Sequence, residues 1–272
     1  AFFYSFDSFS YVSRPFQAKD QHANLAVSLY EYAEITNVGD NYFTFDEFLD
    51  QENTLKFKPI EGPSTNLGFT ESNYWLRLSI KNISENLLHY FLETGRPITD
   101  HVDLYLVTEG EPLKVLNNGD LIPFKERSFA HRKIIFPLDL KPGKVYQVYV
   151  HYQSDGEVIN LPLELHTPTS LVQSSYQKQL FHGLFYGILL LAGAVYLFFY
   201  FGIGEKSFLL YSVYVLSVAL LHMSLDGYFI QYINPTSGWL NKNAILITAT
   251  LSAMAFGRYA QIYTNVKKWS KG

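Results

Sequence analysis

The stretch YWLRLSIKN sets Trp75 and Arg77 two residues apart, on one face of an extended chain. HVDLYLV does the same for Asp103 and Tyr105. Arg96 falls between these segments, and FKERSFAHRK adds Arg127, His131 and Arg132. Groups of these types suit recognition: aromatic rings stack on the apolar face of a sugar, and a guanidinium donates to a carboxylate in a planar fork. The candidate ligand-binding set is therefore Trp75, Arg77, Arg96, Asp103, Tyr105, Arg127, His131 and Arg132. The structural alternative makes Trp75 a core residue, pairs Arg77 with Asp103 and leaves the rest solvated.

Signals for catalysis are missing. The chain has no GxSxG elbow, HExxH pair, P-loop or GxGxxG followed by an acid. It has no cysteine, which excludes a disulfide framework, a thiolate nucleophile and Cys-based metal ligation. Eight histidines are scattered without helical metal-site spacing. Glu31 and Glu34 stand three apart, which in a strand puts them on opposite faces, so a solvated edge is expected rather than an acid/base pair. Asn82-Ile83-Ser84 matches the glycosylation acceptor pattern by chance. No enzyme, cofactor or metal site is expected.

The elements that must position these residues fall into two parts. Residues 182–202, 207–225 and 243–264 include three long apolar runs, and each run is about the length a helix needs to cross a bilayer. From Leu180 onward there are six basic residues (Lys206, Lys242, Arg258, Lys267, Lys268, Lys271) against Glu205 and Asp226. The first 179 residues therefore carry −8 of the overall −4. An acidic head is unsuited to phosphate backbones, so nucleic acid is not an expected partner.

Before the apolar runs, period two dominates. Leu76, Leu78 and Ile80 form one apolar row, Val102, Leu104 and Leu106 a second, and Tyr146, Val148, Val150 and Tyr152 a third. NNGD (117–120), KPGK (141–144) and SDGE (154–157) separate strands. Thr44, three residues before Glu47, predicts a capping box opening one short helix. This pattern predicts an antiparallel β-sandwich of jelly-roll type over residues 25–166. Residues 1–24 form a lead-in or processed N-terminus, 167–179 a short linker and 180–272 the membrane domain.

Three lysines in the tail KKWSKG put the C-terminus in the cytoplasm and the sandwich outside, with Lys242 in the outer loop as a minor count against this. Trp239 and Trp269 suit opposite interfaces, and Arg258 can snorkel from the inner end of span three. Gly183 and Gly187, and Ala249, Ala253 and Gly257, give faces of small residues that suit packing within the chain or a homodimer. His222 and Asp226 mark the outer end of span two.

YWLRLSIKN, DHVDLYLV, NNGDLIPFKER, AHRKIIFPLDLKPGKVYQVYV and INLPLEL, in this order and spacing, resemble the type-2 extracellular domain of bacterial seven-transmembrane receptors with diverse intracellular signalling modules. GLFYGILLLAGAVYLFFYF, EKSFLLYSVYVLS and LDGYFIQYINP resemble the start of that family's membrane domain. The resemblance covers roughly residues 25–263. It implies a carbohydrate-binding-module-like jelly-roll sensor exposed to the periplasm of a bacterial inner-membrane receptor. It also implies a small-molecule ligand and an output such as a histidine kinase or diguanylate cyclase. The family has seven helices and this sequence carries three spans, so the output lies outside it. The alternative is a periplasmic interaction or dimerisation module on a membrane anchor.

Overall fold

The computed structural model describes residues 14–20, 26–236 and 239–264. Two compact units divide between Gln173 and Ser174. The first is built of strands: β1 (Phe16–Ala18), β2 (Val27–Ser28), β3 (Ala33–Gly39), β4 (Lys58–Pro59), β5 (Thr65–Phe69), β6 (Asn73–Asn82), β7 (Leu88–Gly95), β8 (His101–Thr108), β9 (Lys114–Asn118), β10 (Ile134–Leu140), β11 (Val145–Gln153), β12 (Val158–Leu161) and β13 (Glu164–His166). One large sheet runs β4-β3-β6-β11-β8-β9, a second runs β10-β7-β13-β2, and β12 pairs with β5.

The pairings are antiparallel except that β1 adds parallel to β6, with Phe16 opposite Ile80. Phe16 and Ala18 are buried, so the segment expected as a lead-in contributes to the core. The three apolar rows face inward and meet Leu92, Phe136, Leu138 and Leu165 of the second sheet. Tyr152 ties the two layers by donating to the carbonyl of Thr94 at 2.9 Å. The result is a β-sandwich.

The other face of the large sheet is partly covered, beyond the half-buried reading of its strands. Helix α1 (Phe45–Gln51) lies over it, with Phe48 stacked on Trp75 at 4.0 Å and Phe45 on Tyr105 at 4.3 Å between ring centroids. The expected capping box opens it: the Glu47 N–H donates to Thr44 Oγ1 at 3.4 Å, and the Thr44 N–H donates to Glu47 Oε2 at 2.8 Å. Phe43 at N′ and Phe48 at N4 belong to the same apolar cluster, the placement of a hydrophobic staple. A seven-residue helix is marginal alone, so this burial is what holds it.

Helix α2 runs from Pro168 to Ile203, so the stretch expected as a linker is helical. Thr167 accepts from the Ser170 N–H at 3.2 Å and Pro168 takes the first helical position, where no N–H is missed. In the second unit, α2 is followed by α3 (Lys206–Leu225), one π-helical turn (Phe229–Ile233) and α4 (Trp239–Tyr263). Helices α2 and α3 are long and apolar enough to cross a membrane. Leu184, Ile188, Leu191, Phe198 and Phe201 of α2 are all more than half exposed. Apolar surface of that extent belongs in lipid. Helix α4 has a suitable length, but Asn241, Lys242, Asn243, Arg258 and Gln261 dilute it, and it is not among the helices that reach the same hydropathy.

The expected small-residue faces are not where the helices meet. Gly183, Gly187 and Gly257 have nothing within 4 Å of the position a Cβ would take. At Gly193 a Cβ would stand 2.8 Å from Leu216, and Ser212 donates to the Gly193 carbonyl at 2.8 Å. Helix α4 instead buries Asn241, Ala244, Thr248 and Ala255. Asp226 is engaged by Tyr186, whose hydroxyl donates at 2.7 Å, and by His182 at 3.6 Å; His222 packs its ring on Phe185. Arg258 is exposed beside Gln261, and Trp239 is exposed. Lys267, Lys268, Trp269 and Lys271, on which the orientation reading rests, lie outside the described residues.

Candidate ligand site on the sandwich

The register of the large sheet aligns the outward rows. Trp75, His151, Asp103 and Asn117 follow one another across β6, β11, β8 and β9; Glu34, Arg77, Tyr149 and Tyr105 follow across β3, β6, β11 and β8. Four predicted site residues, Trp75, Arg77, Asp103 and Tyr105, thus share one face. Their accessibility differs sharply.

Trp75 is fully buried, sandwiched between Phe48 and His151, with ring centroids 4.7 Å apart on the His151 side. It is core, not a stacking platform. Arg77 is also committed. Its Nη1 donates to Glu52 at 2.8 Å, its Nε and Nη2 to Glu34 at 2.9 and 2.8 Å, and its guanidinium carbon lies 3.9 Å from the centre of the Phe57 ring. The alternative pairing of Arg77 with Asp103 does not occur. Glu34 is a structural counter-ion rather than part of a solvated edge. The sequence hid both facts, because α1 and its follow-on residue Glu52 reach the sheet only through tertiary packing.

Asp103 and Tyr105 remain half-open. The Asn117 amide donates to Asp103 Oδ1 at 2.6 Å. Loss of hydration raises the Asp103 carboxyl, and the Asn117 hydrogen bond and nearby His101 oppose that rise. Tyr42, 61% exposed, stands edge-on to His151 at 5.6 Å. His151 is buried beneath it and bonds to Asn73 at 3.2 Å; burial first, then His101, lowers its pKa to about 4, so it is neutral at physiological pH. Asn117 and His151 were missed because only strand register brings them beside Asp103, and Tyr42 because it reaches this face from the loop before α1; His101, two residues before Asp103 on β8, was legible from alternation alone.

The remaining candidates lie elsewhere. Arg96 is exposed in the turn after β7. Arg127, His131 and Arg132 occupy the β9–β10 connection. Arg127 is buried, bonds to the carbonyls of Ile122 and His131 at 3.5 and 3.3 Å, and is lowered to about 10 by lost hydration. Burial, then Arg132 and Lys133, lowers His131 to about 4; its Nδ1 accepts from the Lys133 N–H at 3.1 Å. Arg132 is buried. These three stabilise a loop and do not form an open Arg fork. Asn82 is likewise structural: it is buried and its amide donates to the carbonyls of Asn86 and Leu140, both at 2.8 Å.

Two further clusters were not legible in the sequence. Glu93, Glu164 and His166 converge near Lys133, which bonds Glu93. Asp100, Asp120 and Glu157 converge at one end of the sandwich. A recess of about 240 Å³ is lined by Asp20, Leu87, Leu88, His89, Tyr90, Thr167, Pro168 and Thr169. It is smaller than the usual range for small-molecule pockets. Exposed large apolar residues of the first unit, including Tyr42, Phe69, Ile83, Leu87 and Val115, are spread over different loops and strands.

Comparison with known proteins matches residues 31–167 to the family described as 7TMR-DISM extracellular 2 and residues 178–271 to 7TM diverse intracellular signalling. No curated protein matches. Among solved structures, TmCBM61 in complex with β-1,4-galactotriose aligns at a TM-score of 0.29 and 7% identity, covering 51% of this chain and 90% of that one. An exo-β-1,3-galactanase from Phanerochaete chrysosporium with galactose aligns at 0.21 and 13%, covering 40% of this chain and 30% of that one. A β-glucuronidase from Ruminococcus gnavus in complex with uronic isofagomine aligns at 0.27 and 13%, covering 53% of this chain and 23% of that one. At such scores the architecture rests on the strand pairing itself. The two family matches fall in the order sandwich then apolar helices, and together they take in most of the sequence. The chain belongs to the family of seven-transmembrane receptors with diverse intracellular signalling modules, joining its extracellular sensory domain to its membrane domain.

Proposed function

We propose that the sandwich binds a small polar molecule bearing several hydroxyls, a carbohydrate being the best fit, on the outer face of the large sheet beside Asp103. The helices carry the resulting change across a bacterial inner membrane, with α4 as a third span, the sandwich in the periplasm and the C-terminus in the cytoplasm. The observation supporting this reading is that Asp103 is oriented by Asn117 at 2.6 Å while aromatic Tyr42 stands exposed beside it; Tyr105, with one ring face stacked on Phe45, is only partly exposed. A carboxylate held by an amide accepts from vicinal hydroxyls, and exposed ring faces take the apolar side of a sugar. A ligand shifts the receptor only by preferring one of two arrangements. Calorimetry of the full chain in micelles against a panel of mono- and oligosaccharides tests the site. The expected result is a saturable heat that falls at least about tenfold in affinity in Asp103→Asn and in Tyr42→Ala. Absence of binding across the panel would remove the reading.

A second reading has its own support. The recess is lined by Thr167, which caps α2, and by Pro168 and Thr169, its first residues, so a molecule seated there touches the origin of the first membrane helix. Binding retained in Asp103→Asn but lost in His89→Ala would assign the ligand to the recess.

A further inference from the structure

Asp100, Asp120 and Glu157 come from three separate connections, 20 and 37 residues apart, yet each places a carboxylate oxygen within 4.8 Å of the other two. Asp100 lies in the turn before β8, Asp120 follows β9, and Glu157 ends the SDGE turn before β12. Backbone bonds clasp the first two connections together. The Asp120 N–H donates to the Thr99 carbonyl at 3.0 Å and the Leu121 N–H to the Asp100 carbonyl at 3.4 Å. Gly119 between them takes φ +137, and a Cβ there would stand 2.1 Å from the Asp100 oxygen. The third connection is fixed by the Glu157 N–H donating to Ser154 Oγ at 3.1 Å and the Asp155 N–H donating to Asp100 Oδ2 at 2.8 Å.

A knot of acids is ordinarily no more than a solvated surface. This one is not solvated: Asp100 is 3% exposed and Asp120 9%. The Asp120 side chain, moreover, has a buried Oδ1 that accepts no hydrogen bond among the described residues. A buried carboxylate oxygen without a donor gives up its hydration with nothing in return, at greater cost when charged. The cation that acts on Asp120, Arg127, forms no ion pair with it; its Nη1 and Nε are turned to the carbonyls of His131 and Ile122. Lost hydration and the neighbouring Asp100, Glu157 and Asp155 push the Asp120 carboxyl well above the usual carboxylate range. Either a proton or a metal ion resolves three carboxylates held this close.

We propose that Asp100, Asp120 and Glu157 bind a divalent cation, with Ca²⁺ the preferred ion. The donors are all oxygens, which excludes the nitrogen and sulfur chemistry that favours Zn²⁺. They come from three loops rather than one rigid element, which suits the variable coordination of Ca²⁺ better than the strict small octahedron of Mg²⁺. The ion pins together the connections before β8, after β9 and before β12, so it acts as a staple at one end of the sandwich. This site is separate from the proposed carbohydrate site, and either assignment can stand without the other.

The test uses the full chain in detergent micelles, freed of metal by chelator, with thermal melting followed by circular dichroism at constant ionic strength. Added CaCl₂ is expected to raise the melting temperature with a midpoint on the order of 10⁻⁴ to 10⁻³ M, the range of extracellular Ca²⁺ modules. MgCl₂ is expected to act at least about tenfold less potently. Equilibrium dialysis should give one Ca²⁺ per chain. Asp120→Asn should melt no lower than wild type in chelator, because it removes a buried acid, yet shift the Ca²⁺ midpoint at least about tenfold. Glu157→Gln, at a partly exposed position, provides a second variant with the same expected shift. No Ca²⁺-dependent melting shift, an equal response to Mg²⁺, or an unchanged midpoint in both variants would overturn the assignment.

Discussion

Arg77 meets Glu52 at 2.8 Å beneath the edge of α1, with the Glu52 side chain 1% exposed. Glu34 holds the other edge of the same guanidinium at 2.8 Å. A pair buried to this extent contributes little compared with apolar residues in its place, but removing one member strands the other. Arg77→Ala is therefore expected to cost about 3–5 kcal/mol. Arg77→Met combined with Glu52→Gln should cost clearly less than the sum of the single changes, since no charge is left stranded at the buried Glu52 position and Glu34, 29% exposed, regains water. Urea unfolding of the two single variants and the double variant measures this coupling. Additive losses would show that Arg77 and Glu52 do not stabilise each other.

The helix that covers this pair depends on its first turn. Thr44→Ala removes the acceptor for the Glu47 N–H and one half of a capping box, a loss of about 1 kcal/mol. Loss of the cap should also loosen the Phe48 stack on Trp75. The expected reading is a lower unfolding midpoint together with a weaker near-ultraviolet tryptophan signal. Thr44→Ser, which keeps the acceptor, should restore most of both.

These two positions show what can be read from sequence. The capping box was legible because Thr44 and Glu47 are three residues apart, and the inward rows of β6, β8 and β11 were legible because alternation is local. The cover over Trp75 was not, since it depends on Phe45 and Phe48 packing across a sheet whose register brings β3, β6, β11 and β8 together. Arg77 is among the expected ligand-binding residues, and the alternative that pairs it names the wrong partner. Asp103 lies two strands from it, whereas Glu34 is its direct cross-strand neighbour. Arg127, His131 and Arg132 are candidates by residue type, and Trp75 by type and strand face; neither type nor alternation reports what packs on that face. The cation cluster was invisible for the opposite reason: its acids look like loop residues until three loops converge.

Two buried histidines contribute to the acid response. His131 and His151 are neutral in the folded protein with pKa values of about 4, below their ordinary 6.5, chiefly because burial disfavours the charged form. A depressed histidine favours folding above 6.5, and that contribution is lost as pH falls toward 4, where the unfolded chain takes up protons the native state refuses. Melting temperature should therefore drop between pH 6.5 and 4. His151→Gln should flatten that slope even if its absolute stability is lower. An unchanged slope would show that His151 does not titrate on unfolding.

His166 has the opposite sign. Burial lowers its pKa, but Glu164 and Glu93 at 3.4 and 3.5 Å outweigh burial and raise it above 6.5. Its contribution is full below 6.5 and is lost as pH rises through the folded value. His166→Gln is expected to remove that alkaline-side loss while leaving the acid limb, to which His131 and His151 contribute, in place. Melting curves from pH 4 to 8.5 separate the two limbs, and coincident wild-type and variant profiles would show that the Glu93–Glu164–His166 group has no linkage to folding.

The membrane unit makes a contrast among three glycines of one helix. At Gly193 a Cβ would approach Leu216 to 2.8 Å, and the Gly193 carbonyl accepts from Ser212, so α2 and α3 meet there with no room for a side chain. At Gly183 and Gly187 nothing lies within 4 Å. Close approach of backbones is what small residues supply in lipid, where water no longer drives helices together. Gly193→Val is therefore expected to destabilise the helix pair by about 1–3 kcal/mol through overpacking, read as an earlier melting transition in micelles. Gly183→Val and Gly187→Val should melt like the parent chain. A shift to lower oligomeric mass confined to the latter two would place a second copy of the chain on that open face, and equal melting of all three variants would show that Gly193 is not the contact point between α2 and α3.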